Sequence, residues 1–128
     1  MFRHDPKLRR LEDLAVLHHL PRRLLQRVAS AADEVTLPAG TVLMRQGERA
    51  GAVYLLGAGF LDVVVDGELV AMLRPGDVAG EIGVLDHVPR TATVVAATEV
   101  TVYEIPARLF TPLVADSADL AGRMRHAA

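Results

Sequence analysis

The sequence predicts a mainly β domain, a barrel or a sandwich, with helices at both ends. Three observations predict it. Apolar residues recur at helical spacing over residues 1–34 and again over 106–128. Between them, over 35–105, short β-branched runs follow one another at intervals of roughly ten residues. Turn-forming residues divide those runs at Pro38-Ala39-Gly40, Gly57-Ala58-Gly59, Asp66-Gly67 and Pro75-Gly76-Asp77.

Each element has its own signal. Asp5-Pro6 reads as an N-cap followed by the first helical residue, opening a helix that places Leu8, Leu11, Leu14 and Leu17 on one face. Pro21 starts a second helix carrying Leu24, Leu25 and Val28, which ends before Asp33. Strands then run from Val35 to Ile105. Asp66-Gly67 is the strongest hairpin signal among them, because both central positions of a type I′ turn need positive φ. Past Ile105, Leu109, Phe110, Leu113 and Val114 form one apolar patch, and Asp116 or Ser117 can cap a last helix with Leu120 and Met124. There is no internal repeat and no low-complexity linker, so a single domain is expected.

Composition agrees. With 128 residues, 51% of them hydrophobic, the chain can bury a respectable core. A domain of this size removes about two-thirds of its unfolded surface from water. The only aromatic residues are Phe2, Tyr54, Phe60, Tyr103 and Phe110, so Val, Leu and Ala must build most of that core. Without cysteine there are neither disulfides nor thiolate metal sites. No apolar run approaches the ~20 residues that span a bilayer, and no signal-peptide core is present. A cytoplasmic protein is expected. The net charge of −2 hides an asymmetry, with +4 on residues 1–27 and −6 on the rest. No aromatic residue interleaves with the N-terminal arginines and no helix-turn-helix pattern follows, which argues against direct DNA binding.

Residues 76–93 carry the most chemical information. They place Glu81 and Arg90 nine positions apart around a short apolar turn. Gly80 lets a ligand approach the backbone closely, and a helical turn starting near Glu81 would aim free N–H groups at an anion. Arg90 would neutralise that anion with forked donors, whereas Glu81 can only accept and so wants a hydroxyl or an amine. An anion with a hydroxyl beside it describes a ribose phosphate. The competing reading is a surface ion pair closing an ordinary loop, the better expectation for an isolated Glu and Arg.

The ordered set Gly80-Glu81-Ile82-Gly83-Val84-Leu85, then Pro89-Arg90-Thr91-Ala92-Thr93, resembles the phosphate-binding cassette of the cyclic nucleotide-binding domain family, of the cAMP receptor protein and protein kinase A regulatory-subunit type. Upstream, Gln46-Gly47-Glu48, Val53-Tyr54-Leu55-Leu56 and Leu73-Arg74-Pro75-Gly76-Asp77 stand where that family places turns and strands, and the resemblance covers roughly residues 8–126. It implies an eight-stranded antiparallel β jelly-roll barrel with an N-terminal helix pair and C-terminal helices. By similarity, Glu81 would accept the ribose 2′-hydroxyl and Arg90 would pair with the cyclic phosphate. The backbone at Ile82 and Gly83 would donate to the phosphate oxygens. Thr91 would bond the phosphate or a guanine amino group, a position compatible with cGMP and cAMP alike. Val63, Val70 and Ala71 would line the base pocket, although apolar strand residues are more often plain core. Two departures stand out. Ala79 occupies a position usually aromatic or bulky, which could loosen the packing beneath the cassette, and Gly83 replaces the commoner Ala or Ser, at a cost in backbone entropy only.

Charge-assisted bonds of about 1.5–3 kcal/mol each would let Glu81 and Arg90 change affinity by about a hundredfold or more. An unpaired buried Arg90 would cost several kcal/mol, relieved in the empty state by Glu81, Asp86 or water. Catalysis has little foothold. The barrel region contains His87 alone, so a His-rich metal site is excluded, and His18-His19 are adjacent on a helix and cannot face one metal together. Ser30 and Ser117 lack a histidine-acid context, and no Walker or dinucleotide loop is present. The expected protein is therefore not an enzyme and has no metal. It is a sensor that binds cAMP, or else cGMP, and acts on a separate effector protein or through self-association. The alternative is a ligand-independent docking subunit within a larger assembly. Met1 just ahead of a capped helix is what a stand-alone module would show, rather than a fragment of a channel or transcription factor.

Overall fold

The computed structural model describes residues 6–126, so the Asp5 cap lies outside the described residues. Pro6 opens α1 (Pro6–Glu12), as expected. The helix does not continue through Leu17. It stops after Glu12, and a 3-10 turn forms at Ala15–Leu17, with Leu14 N–H donating to Leu11 O at 3.0 Å and Leu17 N–H to Leu14 O at 2.9 Å. Leu8, Leu11, Leu14 and Leu17 are nevertheless all buried. Their strict spacing of three accounts for the break, because that period stays on one face of a three-residue winding and drifts around a 3.6-residue helix. After Pro21, α2 (Arg22–Ala31) buries Leu24, Leu25 and Val28 and ends before Asp33.

Eight strands follow: β1 (Asp33–Leu37), β2 (Val42–Met44), β3 (Ala52–Ala58), β4 (Leu61–Val65), β5 (Glu68–Leu73), β6 (Val78–Ala79), β7 (Thr93–Ala96) and β8 (Val100–Pro106). They pair antiparallel in two four-stranded sheets, ordered β1-β8-β3-β6 and β2-β7-β4-β5. The helix α3 (Glu81–Asp86) sits between β6 and β7, and α4 (Ala107–Ala115) and α5 (Ala118–His126) close the chain. This is the mainly antiparallel β architecture with flanking helices that the spacing predicts. Among the described residues no helix is long and apolar enough to cross a membrane.

The turn at Asp66-Gly67 forms as expected, with φ of 52° and 81° between the paired residues Val65 and Glu68. Gly57-Ala58 is not a break: β3 runs through it. A Cβ on Gly57 would stand 2.7 Å from Cε2 of the Tyr103 ring, so this glycine makes room for an aromatic side chain within the sheet.

Two apolar clusters result. The larger joins the helices to one sheet, with Leu11, Leu17, Leu25, Val53, Leu55, Ile105, Phe110, Leu120 and Met124 among its members. The smaller includes Leu56, Leu61, Leu73, Ala79, Val94 and Val102. Leu109 is only partly buried, whereas Phe110, Leu113 and Val114 are core. Of the two possible caps, Ser117 serves α5, its Oγ accepting from Leu120 N–H at 3.1 Å. Asp116 ends α4 and receives Arg27 Nη1 at 3.0 Å.

Candidate functional site

The cassette is built around α3. Gly80 precedes it in the left-handed region, at φ 90°, and Glu81 is its first residue, as the turn expected there requires. The carboxylate side chain is buried, with Glu81 only 1% exposed. Arg90, four residues past the helix, is 6% exposed. These are not partners in a surface ion pair, because both lie in the interior.

Arg90 is held from several directions. Its Nη1 donates to Gly80 O at 3.0 Å and its Nη2 to Ala52 O at 2.8 Å. Two backbone carbonyls thus accept from the guanidinium, beside the charge relief expected of Glu81. The backbone of Arg90 is clamped as well: its N–H donates to Glu48 O at 2.8 Å and its carbonyl accepts from Gly47 N–H at 2.8 Å. Burial pushes the guanidinium pKa down, and the charges of Tyr54, Glu81 and Glu48 oppose that shift. A cleft of about 470 Å³ beside Arg90 is lined by Arg45, Glu48, Tyr54 and Glu104 among others.

Both cassette glycines are sterically required. A Cβ on Gly80 would lie 2.5 Å from Arg90 Nη1 and 3.1 Å from Ala52 O, so any side chain there would dislodge the guanidinium. At Gly83 a Cβ would meet Ala50 Cβ at 2.8 Å and Val88 O at 3.1 Å. The expectation that Gly83 costs backbone entropy alone is therefore corrected: the space an alanine would need is filled by Ala50. Ala79 is also accommodated. It is buried, and its register partner across β3 and β6 is Tyr54, whose ring packs on the same cluster. Tyr54 Oη donates to Leu43 O at 3.2 Å, which anchors that ring.

The remaining predicted residues are placed as follows. Ile82 is 39% exposed on the first turn of α3, and Gly83 beside it is buried. Thr91 is exposed, next to Arg90. Val63, Val70 and Ala71 lie on the other sheet, where Val63 pairs with Ala71. A register shift between Val63 and Val64 makes Val70 the additional residue of a bulge, which relaxes strict alternation along β5. Val63 is half-buried against the smaller cluster, whereas Val70 is 57% exposed and Ala71 is exposed too, so neither of the latter two is plain core. Sequence reasoning missed Ala52, Tyr54 and the Gly47-Glu48 clamp. Backbone acceptors carry no residue-type signature, and Tyr54 could have been found only through its register with Ala79.

Residues 34–117 match the sequence model of the cyclic nucleotide-binding domain. The cAMP-dependent protein kinase regulatory subunit of Emericella nidulans is 35% identical over 97 residues, which cover 74% of this chain and 24% of that protein. An uncharacterized ABC transporter ATP-binding protein of Mycobacterium tuberculosis is 36% identical over 112 residues, 84% of this chain and 33% of that one. The chain thus spans a third or less of the length of these relatives. Among solved structures, the regulatory domain of Toxoplasma gondii PKA with cAMP has a TM-score of 0.80 at 28% identity, covering 91% of this chain and 48% of that chain. The regulatory subunit of a cAMP-independent protein kinase A from Trypanosoma brucei has a TM-score of 0.82 at 26% identity, covering 93% and 46%. The buried Glu81 and Arg90, the left-handed Gly80 and all but the first residue of the two antiparallel sheets sit inside the matched segment, and the chain belongs to the cyclic nucleotide-binding domain family.

Proposed function

We propose that this chain is a regulatory module that binds a cyclic nucleotide, cAMP in preference to cGMP, and passes the bound state to a separate protein. The observation that carries this reading is the burial of a carboxylate and a guanidinium at the two ends of the α3 segment, with Gly80 making room for the guanidinium at the head of the helix. In this mechanism Arg90 faces the cyclic phosphate, Ile82 and Gly83 donate backbone N–H groups to its oxygens, and Glu81 accepts the ribose 2′-hydroxyl. Thr91 stands at the phosphate edge. Val63, Val70 and Ala71 offer the base an apolar strand surface, and the exposure of Val70 and Ala71 supports that role. The two strand orders support a jelly-roll reading of the barrel. The activity is binding rather than catalysis, and a cytoplasmic setting suits a nucleotide of this kind.

A second reading, a docking subunit indifferent to nucleotide, is favoured by the two carbonyl acceptors that Arg90 already has without a phosphate. The likeness to a regulatory subunit of a cAMP-independent kinase fits it too. Calorimetric titration with cAMP and cGMP, alongside Arg90→Ala, separates the two. Micromolar or tighter binding that vanishes in Arg90→Ala supports the sensor and ranks the bases. Absence of heat and of thermal stabilisation at about 1 mM of either nucleotide, a binding energy weaker than about −4 kcal/mol, supports the docking subunit.

A further inference from the structure

A groove of about 590 Å³ lies between α3 and the start of α4, on residues that the proposed nucleotide chemistry does not use, Gly83 apart. Its floor is aliphatic, formed by Ala50, Val84, Val88 and Pro89, and Arg49, His87 and Arg108 stand along it. No carboxylate lines it, and among the described residues neither Arg49 nor Arg108 is ion-paired with an acid. The walls are fixed to one another. Ala107 N–H at the start of α4 donates to Gly51 O at 2.9 Å, and Val88 N–H donates to Gly83 O at 3.2 Å. The Gly47 and Glu48 clamp on Arg90 fixes the loop that carries Arg49. His87 ends α3 in the left-handed region, at φ 54°, and is one of the residues lining the groove.

We propose that this groove docks an acidic peptide segment of a partner protein, with an apolar side chain seated on Val84, Val88 and Pro89 and carboxylates facing Arg49 and Arg108. Charge complementarity selects the occupant: two arginines without acidic partners beside an apolar floor match a segment that alternates acidic and aliphatic residues. Nucleic acid fits less well, because no aromatic residue lines the groove to stack a base.

The probe is a fluorescein-labelled peptide of repeated Glu-Glu-Leu triplets, titrated with the full chain by anisotropy and compared with its Gln-Gln-Leu counterpart. Arg49→Glu and Arg108→Glu are each expected to weaken the Glu peptide by about tenfold or more, and the Gln peptide to bind at least as poorly. Val88→Asp, a change to the floor rather than to the charges, provides an independent variant and is expected to weaken it similarly. Arg74→Glu, an exposed charge reversal at the turn between β5 and β6, is expected to change affinity by less than about twofold. Four results would overturn the proposal. One is equal weakening by Arg74→Glu, which would mean net charge alone. Another is absence of peptide binding at about 1 mM. The third is tighter binding of a single-stranded oligonucleotide that is lost in the same variants. The last is a dimer, seen by sedimentation, that Arg49→Glu and Arg108→Glu disperse, because the occupant would then be a second copy. Every arm is read without cyclic nucleotide, so failure here is distinguishable from failure of the sensor reading.

Discussion

Replacing Gly80 by alanine tests whether the cassette is organised around the guanidinium. The added Cβ meets two penalties. The first is conformational, since Gly80 has φ 90°, and an alanine held in that region costs about 1–2 kcal/mol. The second is steric: the Cβ would stand 2.5 Å from Arg90 Nη1, so Arg90 must give up its bond to Gly80 O. A hydrogen bond from a charged donor contributes about 1.5–3 kcal/mol. Gly67 separates the two, because it has φ 81° with nothing within 4 Å of an added Cβ. Gly67→Ala should therefore lose about 1–2 kcal/mol, and Gly80→Ala about 2.5–5 kcal/mol, measured by urea unfolding. Gly80→Ala should also weaken cAMP binding by about tenfold or more in calorimetry, with Gly67→Ala unchanged. Adding Arg90→Ala should remove the guanidinium part of the cost of Gly80→Ala, leaving the conformational part and the 3.1 Å approach to Ala52 O. Equal losses in the two single variants, or undiminished nucleotide affinity in Gly80→Ala, would show that the cassette is not organised around the guanidinium.

The other predictions concern the supports of the site. Phe110 is fully buried between helices and sheet, so Phe110→Ala should lose about 3–5 kcal/mol in the same unfolding assay. Ser117→Ala removes the cap of α5 and should cost about 1 kcal/mol, whereas Asp116→Ala breaks only an exposed pair with Arg27 and should stay within about 0.5 kcal/mol. Tyr54 has its pKa raised by burial first and by the charge of Glu104 second. Its stabilising contribution is present below the ordinary tyrosine pKa and is lost as pH rises from there through the folded-state value. Unfolding free energy should therefore fall above pH ~10, and Tyr54→Phe, which forfeits the bond to Leu43 O at neutral pH, should flatten that decline.

Much of this architecture was legible because it rests on periodicity and turn chemistry. The Asp66-Gly67 hairpin, the helix starts at Pro6 and after Pro21, and the short helix at Glu81 each depend on a local backbone requirement that a residue type announces. What escaped depends on contacts distant in sequence. Gly57 reads as a turn residue but serves the ring of Tyr103, 46 positions later. Gln46 reads as part of a turn, but nothing in sequence names its partner: its amide bonds both the Asp66 N–H and carboxylate at 2.9 Å, tying the hairpin to the turn before β3. That Glu81 and Arg90 flank a short helix was readable, whereas the acceptors of Arg90 were not, since any residue could have supplied those carbonyls.

Those carbonyls bear on how binding and folding are linked. A carbonyl satisfies an N–H donor but supplies only a partial charge, so Gly80 O and Ala52 O each take one N–H of Arg90 without neutralising its charge. The downward push of burial on its pKa, only opposed by Tyr54, Glu81 and Glu48, expresses that imbalance. A full negative charge arriving beside the fork would act where solvent screening is weakest. Because the side chain and backbone of Arg90 are already fixed, little conformational entropy remains to be lost when that charge binds. The same bonds connect the guanidinium to Gly80 at the head of α3 and to Ala52 at the start of β3. Any ligand that draws on Arg90 must therefore bias α3 and the β2–β3 loop together, and these two segments form walls of the groove beside α4.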